Sequence, residues 1–207
     1  MKYPKLRELK EAVISLFSKP YTSKFPFAPH EAFDGFRGKP QYFEEYCVGC
    51  GACAEVCPGG AIQVIDPPQP VKISSDTVPT RKVECRYDKC IFCGNCEANC
   101  ITEKGIQLTK EFDLALFDRK LAVENVEKEL LICELCGAII TTRDHLKWMI
   151  KRLGPLAYSN PMLLLVSQRE LIPVESGLKG EDLRRADNFK ILCPKCRHDV
   201  VIKDIWG

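Results

Sequence analysis

The sequence predicts an α+β protein that folds around metal-binding thiolates rather than around one large apolar core. Two observations support this prediction. Cysteine accounts for 13 of the 207 residues, and all but one fall into two matched runs of four or into two later pairs. Short strand-like stretches follow both runs, and helical patterns lie before and after them. We therefore expect three modules, at residues 1–42, 43–117 and 118–207.

Composition and charge are those of an ordinary soluble protein. Hydrophobic residues make up 45% of the chain, charged residues 28%, and the formal net charge is +2. A charge so near neutral disfavours a nucleic-acid-binding surface. The longest apolar run, 162–166, is too short to span a bilayer, and the N-terminus has no apolar signal segment. We expect a reducing cytoplasm, where thiols stay available for metal.

The first module is expected to be a basic amphipathic helix followed by an extended arm rich in phenylalanine and proline. Helical spacing runs from residue 5 to residue 17 and stops before Pro20. The apolar positions are Leu6, Leu9, Val13, Ile14 and Phe17. Such a helix either packs on its own domain or docks on a partner subunit or a membrane surface. We favour docking, because the segment is basic and lies outside the compact module.

The second module contains the two runs, each with the spacing C-x2-C-x2-C-x3-C. This is the ligand pattern of a bacterial-type ferredoxin with two [4Fe–4S] clusters, in which the fourth cysteine of each run ligates the other cluster. The predicted cluster 1 set is Cys47, Cys50, Cys53 and Cys100, and the predicted cluster 2 set is Cys57, Cys90, Cys93 and Cys96. Zinc and disulfides are the alternatives. Two matched runs disfavour zinc, and the lack of a secretory signal disfavours disulfides.

Glycines and short strands accompany both runs. Gly49, Gly51 and Gly94 lie inside the loops and are expected to take positive φ, which lets the backbone approach the cluster sulfides. A strand is expected after each run, at 61–64 and 105–108. The module should therefore contain two similar units, each a cysteine loop followed by a strand.

Between the two units we expect a hairpin and one unassigned cysteine. Segments 71–74 and 81–84 are predicted to pair across a turn. Cys85 has no partner by spacing, so we expect it to be a small buried apolar residue. The alternative is that Cys85 replaces Cys90 as a ligand.

The third module is expected to begin with a linker helix at 118–130 and to hold a second kind of metal site. Two C-x2-C knuckles, separated by 56 residues, can supply a tetrahedral four-thiolate site. The ligands are Cys133, Cys136, Cys193 and Cys196. Zinc is the first choice, in a zinc-ribbon or rubredoxin-like module, and a mononuclear iron is the alternative. A four-thiolate zinc has no open position, so its role should be structural.

The segment between the knuckles is expected to be mainly helical. A helix is predicted at 142–153, with Asp144 as its cap and Gly154-Pro155 as its end. Its apolar face is Leu146, Met149, Ile150 and Leu153. Residues 162–166 are predicted to form another short buried element.

Several stretches outside the cysteine spacing resemble one family. They are the basic N-terminal helix, Phe36–Pro40, the Cys47–Cys53 and Cys90–Cys96 loops, and Glu111-Phe112. Together they resemble the two-cluster subunit of complex I and of membrane-bound [NiFe]-hydrogenases. The pair of C-terminal knuckles resembles the corresponding subunit of formate hydrogenlyase and its relatives, which include archaeal membrane-bound hydrogenase and sulfane reductase complexes. One departure is Ile101, which stands where the first run has Pro58.

The resemblance implies an electron-transfer subunit, itself non-catalytic, in the peripheral arm of a membrane-bound respiratory complex on the cytoplasmic side of the membrane. The implied partners are hydrogenase-like large and small subunits and membrane subunits, with a soluble ferredoxin as a candidate electron donor. Neither nucleic acid nor a small-molecule substrate is expected to bind. The alternatives are a free two-cluster ferredoxin and a zinc-ribbon nucleic-acid-binding protein whose clusters are structural.

Overall fold

The computed structural model describes residues 5–71, 78–171 and 189–206. The chain divides into two compact units, Met1–Phe36 and Arg37–Gly207. The module boundaries predicted after residues 42 and 117 stay predictions. No helix within the described ranges is both long enough and apolar enough to cross a membrane.

The first unit is built around helix α1, Leu6–Phe17, which confirms the predicted helix. The backbone N–H of Lys5 donates to the Glu8 carboxylate at 3.1 Å, so the helix N-terminus is closed by its own side chain. None of its residues is buried, and the exposure of its apolar side chains ranges from 49% for Ile14 to 88% for Phe17. The helix therefore presents an uncovered apolar face within this unit.

The second unit contains two antiparallel sheets. The strands are β1 (Pro40–Tyr42), β2 (Ile62–Ile65), β3 (Thr80–Arg86), β4 (Ile106–Leu108), β5 (Val123–Ile132) and β6 (Ile139–Thr142). Strands β1 and β4 form a two-stranded sheet, and the others form a four-stranded sheet in the order β2-β3-β5-β6. Strands β2 and β4 confirm the strands predicted after the two cysteine runs.

The predicted hairpin between 71–74 and 81–84 is wrong in its pairing. Residues 81–84 lie inside β3, which pairs with β2 on one side and with β5 on the other. Val83 is 1% exposed in this arrangement and lies between Val64 and Val126. Because both edges of the segment are occupied, no edge is left for a local partner. Residues 72–77, the rest of that prediction, lie outside the described residues.

The predicted linker helix at 118–130 is also wrong. A 3₁₀ turn covers Arg119–Leu121, and the ten-residue strand β5 follows it. Val126 and Leu130 lie four residues apart and are buried on the same face of this strand. A spacing of four residues fits one face of a helix as well as one face of a strand. The segment is a strand because it pairs with β3 along its length, from Thr80–Glu129 to Arg86–Val123.

Six helices complete the described part of the fold. Besides α1 they are α2 (Ala52–Glu55), α3 (Asn95–Ala98), α4 (Arg143–Leu153), α5 (Pro161–Leu171) and α6 (Pro194–Trp206), with a 3₁₀ segment at Gly154–Ser159. Helix α4 confirms the helix predicted at 142–153, and α5 contains the element predicted at 162–166. The N-terminal cap of α4 is Thr142, whose hydroxyl accepts from the N–H of His145 at 3.3 Å. The predicted cap, Asp144, is therefore wrong. This mixture of helix and sheet confirms the α+β class.

Three buried clusters hold the second unit together. The first packs against the cysteines of the two runs and consists of Tyr42, Ile62, Val83, Cys85, Cys96, Ile106 and Val126. The second lies under α4 and α5, and the third surrounds the C-terminal knuckles. Cys85 is fully buried in the first cluster, as predicted. Each core is therefore small, and two of the three are built directly on cysteine.

Candidate metal centres

Two strand pairs bring together cysteines that lie far apart in sequence. Strand β1 precedes Cys47, and its partner β4 follows Cys100, so this sheet places the start of the first run beside the end of the second. Strand β2 follows Cys57, and its partner β3 leads to Cys90. The two antiparallel pairs thus bring the start of each run beside the end of the other, and the exchange of fourth cysteines between two clusters stays a prediction.

A cavity is lined by the whole predicted cluster 1 set. Cys47, Cys50 and Cys53 come from the first run, and Cys100 comes from the second. The rest of the wall is largely apolar, with Tyr42, Val83, Ile101 and Ile106 among its members. Four cysteines around one largely apolar cavity supply the donor set that a [4Fe–4S] cluster requires, so these residues fit that cofactor.

Three of the four cysteines of the second set lie near Cys85. Its hydrogen bond with Cys90 and its burial raise the pKa of the Cys85 thiol, and the nearby Cys96 and Cys57 sulfurs raise it further. The same hydrogen bond favours the Cys90 thiolate and lowers the pKa of Cys90 to about 6. The structure therefore places Cys57, Cys90 and Cys96 within electrostatic reach of one buried residue. Whether Cys85 replaces Cys90 as a ligand stays a prediction.

Both cysteine loops use left-handed backbone at matched positions. Gly49, Gly51 and Gly94 have φ of 65°, 82° and 84°, as predicted. Gly51 and Gly94 each precede a one-turn helix, α2 and α3. Phe92 occupies the place of Gly49 in the second loop and also has a positive φ, 52°. A bulky residue adopts this conformation only where the surrounding structure enforces it, so the loop geometry is imposed by the fold.

Hydrogen-bond donors lie against several of the cysteine sulfurs. They are Ala61 N to Cys57 Sγ at 3.3 Å, Phe92 N to Cys90 Sγ at 3.4 Å, and Thr102 Oγ1 beside Cys100 Sγ at 3.3 Å. Burial works in the opposite sense and raises the pKa of Cys53 to about 12 and that of Cys96 to about 11. Bonds to sulfur and exclusion of water are two of the means by which a protein tunes a bound cluster.

The C-terminal knuckles form a second centre. The sulfurs of Cys133, Cys136, Cys193 and Cys196 all lie within 4.8 Å of one another. Cys136 Sγ and Cys193 Sγ are 3.7 Å apart, and a tetrahedron with metal–sulfur bonds of about 2.3 Å has an edge of about 3.8 Å. Burial acts to raise the pKa of the Cys133 thiol, but backbone N–H groups of Cys193, Cys136 and Leu135 bring it to about 6. This donor set fits a tetrahedral thiolate-bound metal, zinc or iron alike.

Glu134 joins the two knuckles across the long segment that separates them. Its carboxylate accepts from the N–H of Ile191 at 3.0 Å, and its own N–H donates to the Ile191 carbonyl at 2.9 Å. The carboxylate also accepts from Arg169 of α5, which in turn donates to the Phe189 carbonyl at 3.0 Å. Sequence reasoning missed both residues. Position inside a C-x2-C turn was the only signal for Glu134, and none marked Arg169.

Comparison with known proteins supports an iron–sulfur centre in the part of the chain that contains the two cysteine runs. Residues 46–104 match the 4Fe-4S dicluster domain family. This stretch contains both cysteine runs, and we call it the dicluster domain.

Two curated proteins are similar to parts of the chain. NAD(P)H-quinone oxidoreductase subunit I of Gloeobacter violaceus is 29% identical over 101 residues, which is 49% of this chain and 46% of the relative. Formate hydrogenlyase subunit 6 of Escherichia coli is 42% identical over 43 residues, 21% of this chain and 24% of the relative. The chain thus spans less than half the length of these curated relatives. These similarities confirm the resemblance predicted from the sequence.

One solved structure also aligns with the chain. It is the membrane-bound sulfane sulfur reductase, an archaeal respiratory membrane complex, with 24% identity and a TM-score of 0.39. The alignment covers 58% of this chain and 60% of that one.

The contacts of Glu134 predict that its charge supports the C-terminal metal. Glu134→Gln should weaken metal binding by about tenfold to hundredfold, because an amide cannot hold both Arg169 and the Ile191 N–H as a carboxylate does. Competition with a chelator at fixed pH measures the affinity. Glu170→Gln is the matched control, since Glu170 is a carboxylate of α5 that pairs with Lys147 at 3.1 Å. Equal affinities in the two variants would contradict this role.

The conformation of Gly49 predicts a difference between two glycine substitutions. Gly60→Ala should lower stability by about 1–2 kcal/mol through its left-handed backbone alone, since an added Cβ at Gly60 (φ 56°) meets nothing within 4 Å. Gly49→Ala should cost more, because its Cβ would lie 3.0 Å from Thr142 Cγ2 and 3.1 Å from Lys128. Thermal unfolding midpoints of the metal-loaded proteins test the order. A midpoint for Gly49→Ala at or above that of Gly60→Ala would show that this approach is not tight.

Proposed function

We propose that this protein relays single electrons through two [4Fe–4S] clusters, as a non-catalytic subunit of a membrane-associated respiratory complex. The observation that carries the proposal is the cavity lined by cysteines from both runs. Cys47, Cys50, Cys53 and Cys100 would hold one cluster, and Cys57, Cys90, Cys93 and Cys96 would hold the other. Because the runs exchange their fourth ligands, the two clusters would be held as a fixed pair.

The chemistry of the cavity wall suits electron transfer. A bound [4Fe–4S] cluster takes up and gives back one electron at a time. The residues of this chain exclude water with apolar side chains and direct N–H groups at the sulfurs. Among the described residues that line the cavity, no carboxylate, histidine or amine is present to act as an acid or base. This wall therefore supports a relay rather than a reaction on a bound substrate.

The C-terminal centre is proposed to be a structural zinc site in a zinc-ribbon-like or rubredoxin-like module. Four cysteine thiolates around one ion leave no position for a substrate. The third buried cluster is small and includes Cys133, Leu192, Cys196 and Val200. A bound metal would therefore supply much of the folding free energy of this module. Mononuclear iron is the alternative that the sulfur geometry also allows.

The proposed setting is a peripheral position on the cytoplasmic side of a membrane. Its relatives are subunits of a quinone oxidoreductase and of formate hydrogenlyase, which supports partner subunits of the same complex, hydrogenase-like and membrane-embedded. A soluble ferredoxin is the proposed electron donor. The apolar face of α1 is not covered within the first unit, and we propose that a partner subunit covers it.

Metal content and magnetic resonance test the relay. The full chain, purified without oxygen, should contain about eight iron atoms and about one zinc atom. Reduction should give two spin-one-half signals that are magnetically coupled, because the shared ligand runs hold the clusters close together. About four iron atoms, or none, would overturn the paired-cluster proposal. A second iron type in place of zinc would change only the identity of the C-terminal metal.

Removing one knuckle ligand tests the separation of the two kinds of site. Cys133→Ser should abolish tight binding of the C-terminal metal and lower the thermal midpoint, while both clusters remain able to cycle. Its sulfur belongs to the knuckle set, which no residue of the two runs joins. Elemental analysis and the reduced-state signals report both effects. Loss of both clusters in this variant would show that the sites do not assemble separately.

A further inference from the structure

The loop of the first cysteine run is held by a hairpin from outside the dicluster domain. Strands β5 and β6 form this hairpin, with Leu130 opposite Thr142. The hydroxyl of Thr142 donates to the carbonyl of Val48, which lies between Cys47 and Cys50, and Thr142 is fully buried. The contact is possible because residue 49 is a glycine, as its crowding shows. The hairpin therefore touches the backbone that carries the predicted cluster 1 ligands.

Lys128 brings a positive charge to the same loop. Its side chain is only 10% exposed, and its methylene groups lie against Gly49. The ammonium group donates to the Glu44 carbonyl at 2.7 Å and pairs with Asp144 at 3.1 Å. The Asp144 side chain is 43% exposed, so solvent screens its charge more than that of Lys128. Of the two charges in this pair, that of Lys128 is therefore the less screened by solvent.

Of two other cations near the loops, one is paired with a carboxylate and the other is exposed to solvent. Arg81 donates to the Gly49 carbonyl at 3.2 Å, but Asp66 binds its guanidinium through two bonds of 2.8 Å. Arg37 donates to the Cys93 carbonyl of the second loop at 2.9 Å, and it is exposed to solvent. Of these three cations, Lys128 is the one that is both largely buried and paired only with a partly exposed carboxylate, so its charge is the least screened. Its charge also favours the Cys47 thiolate, although burial raises the pKa of that thiol overall.

The first C-terminal knuckle lies at the turn of this hairpin. Cys133 follows the last residue of β5, and Cys136 lies in the turn that leads into β6. The knuckle therefore closes one end of the hairpin, while Lys128 and Thr142 lie toward the other end. A metal at the knuckles would fix both residues against the first loop.

We propose that Lys128 is an electrostatic positioning residue that raises the reduction potential of the first cluster relative to the second. The inference rests on the proposed relay, because it requires both clusters to be present. A cluster gains one negative charge when it is reduced, and a buried cation beside its ligand loop stabilises that state. The charge then biases the electron shared by the pair toward the cluster held by Cys47, Cys50, Cys53 and Cys100.

The test is an anaerobic redox titration of the full metal-loaded chain, followed by the two reduced-state signals. Cys50→Ser assigns the signals, because only the first set contains that ligand. Lys128→Met should lower the potential of the first cluster, with the second cluster as internal reference. We expect a change of about tenfold in the reduced-to-oxidised ratio, which is about 59 mV for one electron. Lys128→Arg keeps the charge and should restore most of the potential.

A substitution of opposite sign makes the result independent of packing at Lys128. Asp144→Asn removes the partly compensating carboxylate and should raise the potential of the first cluster, by less than Lys128→Met lowers it, since Asp144 is partly exposed. Lys120→Met, at an exposed lysine, is the charge-matched control and should move neither signal.

The outcomes separate this inference from the relay itself. Suppose that both variants bind both clusters, and that neither Lys128→Met nor Asp144→Asn changes the reduction potential of the first cluster relative to the second. Lys128 then has no such role. An equal shift of both clusters also overturns it, because the effect would then be unspecific. If the Lys128→Met protein does not bind its clusters, the Asp144→Asn protein tests the inference instead. A higher reduction potential of its first cluster supports the role of Lys128, and an unchanged or lower one overturns it. If the unsubstituted chain lacks two clusters, the relay fails and this inference falls with it.

Discussion

The convergence of cysteine sulfurs from distant parts of the chain is the constraint on which the rest of the structure depends. Four sulfurs must point into one small volume, and no single loop supplies them. The β1–β4 pair and the β2–β3 pair meet this requirement by placing the end of one run beside the start of the other. The left-handed residues at Gly49 and Phe92 follow from the same need, because the backbone must turn around the sulfurs.

Electrostatics is the second theme of the molecule. Clustered thiolates repel one another, and burial in an apolar cavity makes each charge more costly. The fold offsets this with backbone N–H groups at the sulfurs and with cations placed behind the ligand loops. Lys128 belongs to a strand outside the dicluster domain, so the C-terminal module contributes to the environment of the first run. Two metal modules that look separate in sequence therefore share one sheet.

The errors in the sequence analysis have identifiable causes. Residues 118–130 carry apolar positions that satisfy a helix as well as a strand, and only the ladder with β3 selects the strand. The hairpin at 71–74 and 81–84 rests on nearness in sequence alone. In the structure, Val83 is buried between Val64 and Val126 of two other strands. In both cases a long-range partner outweighed a local signal. By contrast, α1, α4 and the strands after each run were predictable, because their periodicity or flanking residues allowed one interpretation.

The sequence by itself determined the two cysteine runs and the two knuckles, since the spacing within each is a local property that a short turn must satisfy. It also determined the glycines at the loops and the class of the fold. Only the tertiary structure decided that β5 brings Lys128 and β6 brings Thr142 to the first loop. It also decided that Glu134 connects the knuckles through its contacts with Ile191 and Arg169. Such contacts depend on which strands pair across long intervals of sequence. That pairing is set by the burial of the whole assembly rather than by any pattern in one segment.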